Sequence, residues 1–245
     1  MDAEKLTEKL VSWLRERVTE ASCRGTVFGI SGGIDSAVVA ALCKRAFPDS
    51  TLGIFIPCYS IPQDREHTLA VVEKFSIPLK EVIIDSIYDD LAGLLPDFDK
   101  ESVAGLPTKA NIKVRLRMLT LYYFANQLGY MVVGSSNRSE LAIGYFTKFG
   151  DGGVDIVPLG ILVKRQVREL AAFLGVPQVI IDKPPSAGLW PGQTDEAEIG
   201  LTYDEIDEYL LTGKANVSVR EKIEFKIASN HHKRQPPSVP DFQVP

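Results

Sequence analysis

Cysteine is scarce: Cys23, Cys43 and Cys58 are the only three in 245 residues, and none belongs to a CxxC pair. That spacing excludes the common zinc and thiol-redox motifs, and an odd, scattered set makes a poor disulfide framework. The three read as reduced, mostly buried residues of a cytoplasmic protein. No apolar run reaches the ~20 residues of a membrane span. The N-terminus has no signal-peptide character either: residues 3–19 set Leu6, Leu10, Val11 and Leu14 on one face among charges, as in a surface helix. Basic charge is not in excess. Lys and Arg total 27 against 32 Asp and Glu, a net charge of −5, which argues against nucleic acid as the main partner but leaves room for a local phosphate site. With 45% hydrophobic residues, the chain is long enough for one large α/β domain with a well-buried core.

What the chain does have is a rhythm of short apolar runs and helical stretches. Strands are expected at residues 26–30, 52–56, 81–84 and 130–134, with a further one at 155–159. Helices are expected at 37–46, 64–75, 108–128, 164–174 and 203–211. A polar, Pro-bearing region separates the third strand from the 108–128 helix. On that helix Ile112, Leu116, Leu119 and Tyr123 form the expected buried stripe, with Arg115 on one border and Lys113 and Arg117 on the other. Strands alternating with helices predict an α/β fold: a single doubly wound domain, residues 1–245, with a central parallel sheet and helices on both faces. Ligands of such sheets bind at the carboxyl ends of the strands. Residues 183–192, rich in Pro and Gly, read as part of a mobile active-site loop over 183–200. Residues 229–245, with several prolines, read as a C-terminal tail.

The most informative stretch follows the first strand: Gly29-Ile30-Ser31-Gly32-Gly33-Ile34-Asp35-Ser36. Two glycines allow a sharp turn with close approach to a ligand. The helix behind them turns free N–H groups and its positive dipole end into that turn, and Ser31 and Ser36 add hydroxyls. Asp35 beside bound phosphate would repel it unless a divalent cation lay between, which makes it a natural Mg²⁺ ligand. A Gly-rich turn with Asp35 and Ser36 as helix caps is the plainer alternative. The stretch is neither a Walker A loop nor a GxGxxG fingerprint.

SGGIDS after a strand resembles the PP-loop of the ATP pyrophosphatases, an adenine nucleotide alpha hydrolase-like fold in which ATP is cleaved to AMP and pyrophosphate through an adenylated substrate. GMP synthetase, asparagine synthetase and tRNA-modifying enzymes share that loop. Residues 144–155, GYFTKFGDGGVD, resemble the GYxTKxGDGxxD stretch of NAD synthetases, and KRQVR at 164–168, KPPSAGL at 183–189, QTDEAEIG at 193–200 and LTYDEID at 201–207 follow in family order.

The resemblance implies a C–N bond-forming ligase that amidates deamido-NAD with ammonia to give NAD, AMP and pyrophosphate. It implies ATP as co-substrate, no catalytic nucleophile, two Mg²⁺ ions and a homodimer. By the same resemblance the ATP site comprises Gly29 to Ser36, Ser135, Lys164 and Ser186; Asp35 and Glu140 are the Mg²⁺ ligands; and Arg115, Lys148, Asp151, Asp155, His232 and Lys233 contact deamido-NAD. Ser135 stands where the family usually has threonine. The glutamine-using relatives carry an amidase domain with a catalytic cysteine; the synthetase part here accounts for the whole chain and Cys58 has no evident partner, so free ammonia is the expected donor. Two other readings stay open: a PP-loop tRNA-modifying enzyme, and a non-catalytic nucleotide-binding module.

Overall fold

In a computed structural model, residues 1–96, 105–190 and 192–241 are described. In chain order the elements are α1 (Ala3–Glu20), β1 (Thr26–Gly29), α2 (Ile34–Ala46), β2 (Thr51–Phe55), α3 (Pro62–Phe75), β3 (Leu79–Glu81), α4 (Asp85–Leu94), α5 (Gly105–Leu128), β4 (Met131–Val132), α6 (Arg138–Ile143), α7 (Lys164–Leu174), α8 (Gln178–Ile181), α9 (Asp195–Ile199), α10 (Tyr203–Thr212) and α11 (Val217–Ser229). All pairings between the four strands are parallel, in the order β3-β2-β1-β4, with Thr26 opposite both Thr51 and Met131. The chain thus walks outward from β1 to β3 and then returns to the other flank of β1. That reversal puts the topological switch point between β1 and β4, where the following loops part and leave a crevice.

Alternation along the strands divides the core in two. Phe28 and Ile30 face one way, into the apolar side chains of α1, α2 and α7. Val27 and Ile54 face the other, against α5 residues Met118, Leu121 and Ala125. A third, smaller cluster joins α6, α10 and α11 through Ile143, Ile206 and Ile223, with Tyr203 among them. Among the described residues no helix is long and apolar enough to cross a membrane.

Four local expectations change. The strand at 155–159 shrinks to a single bridge, Val133 with Ile156, because Pro158 and Gly160 turn the chain into a 3-10 segment over Pro158–Ile161. The buried stripe of α5 lies elsewhere: Ala110, Val114, Met118, Leu121 and Ala125 face the sheet, while Leu119 and Tyr123 are 68% and 58% exposed. Apolar residues occur all round this helix, so periodicity alone did not choose the face, and the sheet takes the row with the smaller side chains. The region after β3 contains the helix α4. The segment from Ser229 is docked as far as Arg234, whose guanidinium donates to the carbonyls of Ala142 (3.0 Å) and Ile227 (2.6 Å).

Candidate active site

β1 runs directly into the glycine turn and α2 begins at Ile34 with no side chain capping its N-terminus. The first-turn N–H groups of this 13-residue helix therefore face the crevice, with the helix dipole behind them. Ser36 is engaged within the loop: its hydroxyl donates to the Gly33 carbonyl at 2.9 Å and accepts from the Ser31 N–H at 3.2 Å. The turn is closed by Gly32, whose φ is +72° and whose absent Cβ would lie 2.6 Å from the Asp64 carbonyl of α3. Only glycine fits there. Across the switch point, Gly134 ends the β4 side with Val154 pressed against its α-carbon, since a Cβ would meet that side chain at 2.5 Å.

Asn137 then caps α6: its side chain accepts from the Glu140 N–H, and Glu140 returns to the Asn137 N–H. The same Asn137 amide donates to Asp35 Oδ1 at 3.0 Å, joining the two strand ends. Lys164 completes the group. Its Nζ lies 2.6 Å from Asp35 Oδ2 and 3.3 Å from Glu140 Oε1, with 3% of its side chain exposed. It stands at the first turn of α7, where the dipole disfavours a cation. A residue from another element offsets that cost: buried Asp207 of α10 accepts from the Lys164 N–H (3.3 Å), the Arg165 N–H (2.8 Å) and the Ser139 hydroxyl. Val163, which precedes the helix, has no group with which to cap it.

Burial pushes the Glu140 carboxyl above the usual carboxylate range against the pull of Lys164, and Asp35 pushes the same way. Burial alone would lower the Lys164 ammonium; the carboxylates of Asp35 and Glu140 overcome it and hold the ammonium above its ordinary value. Asp35 and Glu140 are hard oxygen donors converging on one cation-sized point, which suits a magnesium ion. Among the described residues no group of three His, Cys, Asp or Glu side chains is placed to hold a metal. Further ligands for such an ion would be water and phosphate oxygens.

The cleft encloses about 440 Å³ and brings together most of the residues named from sequence: Gly29, Ile30, Ser31, Gly33, Ile34, Asp35, Ser36, Ser135, Glu140, Asp151, Lys164, Ser186 and Lys233 line it. Lys233 donates to the carbonyls of Gly144 (2.9 Å) and Phe146 (3.1 Å), and Asp151 accepts from the Thr147 N–H (2.8 Å). Five named residues do not line it: Gly32, turned against α3, and four that stand further off. Arg115 is exposed on the outer side of α5 and donates to the Lys148 carbonyl at 3.3 Å. Lys148 borders a neighbouring depression and donates to the His232 carbonyl at 2.7 Å. The His232 ring contacts the Ser229 carbonyl. Asp155 is tied to the Val132 N–H and the Tyr122 hydroxyl, each at 2.8 Å.

The loop of residues 183–190 lies over the cleft, with 192–194 leading on to α9. Lys183 pairs with Asp64 of α3 at 2.7 Å, and Lys113 of α5 donates to the Leu189 carbonyl at 3.1 Å. Gln193 organises it from within, accepting from the Leu189 N–H (2.8 Å) and donating to Glu198 (2.7 Å), while Ser186 donates to the Gln193 carbonyl (2.8 Å). Sequence reasoning missed Asn137, Tyr145, Asp195, Tyr203 and Asp207. Only Asn137 had a local signal, the Asn-x-x-Glu spacing of a capping box; the others arrive from distant segments.

Comparison with known proteins agrees with this geometry. The family model described as NAD synthase matches residues 6–237. The NH(3)-dependent NAD(+) synthetases of Syntrophomonas wolfei and Carboxydothermus hydrogenoformans are 48% and 49% identical, over 98% and 97% of this chain and 96% and 97% of theirs. Among solved structures, an NMN synthetase from Francisella tularensis is 40% identical with a TM-score of 0.92, covering 99% of this chain and 100% of its own. An NH3-dependent NAD synthetase from Campylobacter jejuni is 30% identical with a TM-score of 0.81, over 98% and 100%. With the fold, the phosphate-loop cleft and these relatives in agreement along nearly its whole length, the chain belongs to the NAD synthase family.

Proposed function

We propose that the chain is an ammonia-dependent NAD synthetase, a ligase that amidates deamido-NAD at the expense of ATP. The observation that carries this reading is the meeting of Asp35, Glu140 and Lys164 beside the uncapped N-terminus of α2, at the switch point of the sheet. The relatives named as NH(3)-dependent match this chain over nearly all of their own length, which supports ammonia as the nitrogen donor. The nicotinate carboxylate attacks the α-phosphate of ATP. Its oxygen forms the new P–O bond and pyrophosphate leaves with the electron pair of the broken one. Ammonia then attacks the acyl carbon of the adenylate; AMP departs and a proton is released, leaving the carboxamide.

No side chain need act as nucleophile, so the protein's work is positioning and charge stabilisation. The N–H groups of residues 31–36 hold phosphate oxygens, helped by the Ser31 and Ser36 hydroxyls, with Ser135 and Ser186 on the rim. Lys164 offsets charge growing at the α-phosphate. Asp35 and Glu140 would hold Mg²⁺, two ions in all, which would neutralise charge on the triphosphate and the leaving pyrophosphate. Asp151 and Lys233 contribute to the deamido-NAD end, joined outside the cleft by Lys148 at the neighbouring depression and by Arg115, Asp155 and His232. The 183–194 loop excludes water from the adenylate. The protein works as a cytoplasmic homodimer; apolar side chains left open on α4 and α5, among them Ile87, Leu94, Leu119 and Tyr123, support the dimer.

The likeness to an NMN synthetase favours one second reading, in which the acid precursor of NMN replaces deamido-NAD. The test supplies purified protein with ATP, Mg²⁺ and ammonium, and with deamido-NAD or nicotinic acid mononucleotide in parallel. Equal yields of NAD, AMP and pyrophosphate with ammonium and not glutamine, abolished in Asp35→Ala, are expected. Turnover of the mononucleotide alone would shift the assignment to the second reading. No ATP cleavage with either would overturn both.

A further inference from the structure

A line of hydrogen-bonded side chains runs from Glu140 along the wall of the cleft, which Tyr145, Asp195 and Glu198 also line. Glu140 Oε1 lies 3.1 Å from the Tyr203 hydroxyl, and the same hydroxyl lies 3.1 Å from Asp195 Oδ2. The other oxygen of Asp195 meets the Tyr145 hydroxyl at 3.1 Å, which in turn lies 2.8 Å from Glu198 Oε2. Glu198 is the carboxylate that receives the Gln193 amide, the residue around which the 183–194 loop is folded. The Asp195 N–H also donates to the Pro185 carbonyl in that loop, at 3.1 Å. Tyr203 is 1% exposed and Asp195 5%, so water competes little for the bonds at that end of the line, while Glu198 at the other end is exposed. The Tyr203 ring also lies under Lys164, whose Nζ is 4.8 Å from its centroid.

We propose that Tyr203 is a positioning residue that couples the state of the Glu140 carboxylate to the fold of the 183–194 loop, through Asp195, Tyr145 and Glu198. The proposal rests on the reading of Glu140 as a cation ligand and of the loop as the cover of the ATP site. Its physical basis is a proton count. A phenol has one proton to give, and two carboxylates compete for the one on Tyr203. With only Lys164 beside it, Glu140 holds a share of that proton. Were Glu140 engaged by a divalent cation, its oxygen would accept less from the hydroxyl, and Tyr203 would donate to Asp195, the residue whose N–H holds the Pro185 carbonyl of the loop. Loading of the nucleotide site and closure of its cover then become one event, and by linkage a loop already closed raises cation affinity by the same factor.

The test is amide hydrogen exchange in residues 186–190, on the full chain, with and without Mg²⁺ and ATP, in wild type, Tyr203→Phe and Gln193→Ala. The Phe variant keeps the buried ring and loses only the hydroxyl. Exchange in the loop is expected to quicken about tenfold, as for loss of one hydrogen bond to a charged group, with α10 and the sheet unchanged. The Mg²⁺ concentration that half-protects the loop, and the KM for Mg²⁺-ATP, are expected to rise by a similar factor, more than kcat falls. Because both changes cut one relay, the double variant is expected to match the larger single effect.

Unchanged loop exchange and Mg²⁺ requirement in Tyr203→Phe would overturn the proposal. So would faster exchange spread through α10 and the sheet, or additive effects in the double variant. Wild-type protein that makes no NAD but still protects its loop on adding Mg²⁺ and ATP would sink the assigned reaction while the exchange comparison still decides on Tyr203.

Discussion

Replacing Lys164 with methionine keeps the length and apolar stem of the side chain and deletes the buried ammonium. At an effective dielectric of about 20, a unit charge 2.6 Å from Asp35 contributes about 6 kcal/mol and one 3.3 Å from Glu140 about 5 kcal/mol. Desolvation of the ammonium offsets most of this, and removal of one member of a buried ionic group costs about 3–5 kcal/mol. We expect that loss in urea unfolding at pH 8, where both carboxylates are left facing each other. The pH dependence follows from Glu140. Its carboxyl is already raised in the folded protein, so the native state holds a proton that the unfolded chain has released. Stability from that proton is present below the ordinary carboxylate value and is lost as pH rises through the folded value. Removing Lys164 raises the folded value further and stretches the window upward. The deficit of Lys164→Met is therefore expected to be largest at pH 8 and to shrink toward pH 5, with NAD formation lost throughout. A variant within about 0.5 kcal/mol of wild type at pH 8, the range of an inert surface change, would refute the reasoning.

Gly32→Ala is expected to cost about 1–3 kcal/mol in thermal or urea unfolding and to weaken ATP binding measured by calorimetry, because its φ of +72° and the Asp64 carbonyl at 2.6 Å both oppose a methyl group. Asp207→Ala is expected to destabilise by about 2 kcal/mol, the upper end for a lost helix cap, and to reduce kcat by letting the first turn of α7 fray under Lys164. Thiol titration with a disulfide reagent at pH 8 is expected to label Cys23 promptly. Cys43 should stay unlabelled until unfolding, burial having pushed its thiol up to about 12, and buried Cys58, raised for the same reason, should lag far behind Cys23.

The phosphate loop was legible because everything it needs is local: a strand, two glycines, two hydroxyls and a helix occupy eleven consecutive positions or so. Glu140 was named through the family resemblance alone, although the Asn-x-x-Glu spacing that caps α6 lay in the sequence beside it. Lys164 was named through the resemblance of KRQVR at 164–168 to the family. What local pattern could not reveal is why that lysine is tolerated, for the answer is Asp207, 43 residues further on. Tyr203 and Asp195 were hidden in the same way. In sequence they look like ordinary first-turn residues, and only the packing of α10 against α6 brings the Tyr203 hydroxyl between Glu140 and Asp195. On α5 the error had another origin. A helix with apolar residues on every side offers period without phase, and the sheet decides which row it covers.

The ammonium held between Asp35 and Glu140 is, from the viewpoint of an arriving ion, a rival already in place. Being part of the chain, it competes at an effective concentration far above that of any free salt, and dilution does not remove it. A lone divalent ion must displace it and leave a buried charge without its partners. An ion that comes with a triphosphate brings the ammonium a new anion to turn to. Two carboxylates and one ammonium leave one negative charge in excess, and on the proposed reading the same lysine would set a threshold that metal-bound ATP lowers and free metal does not.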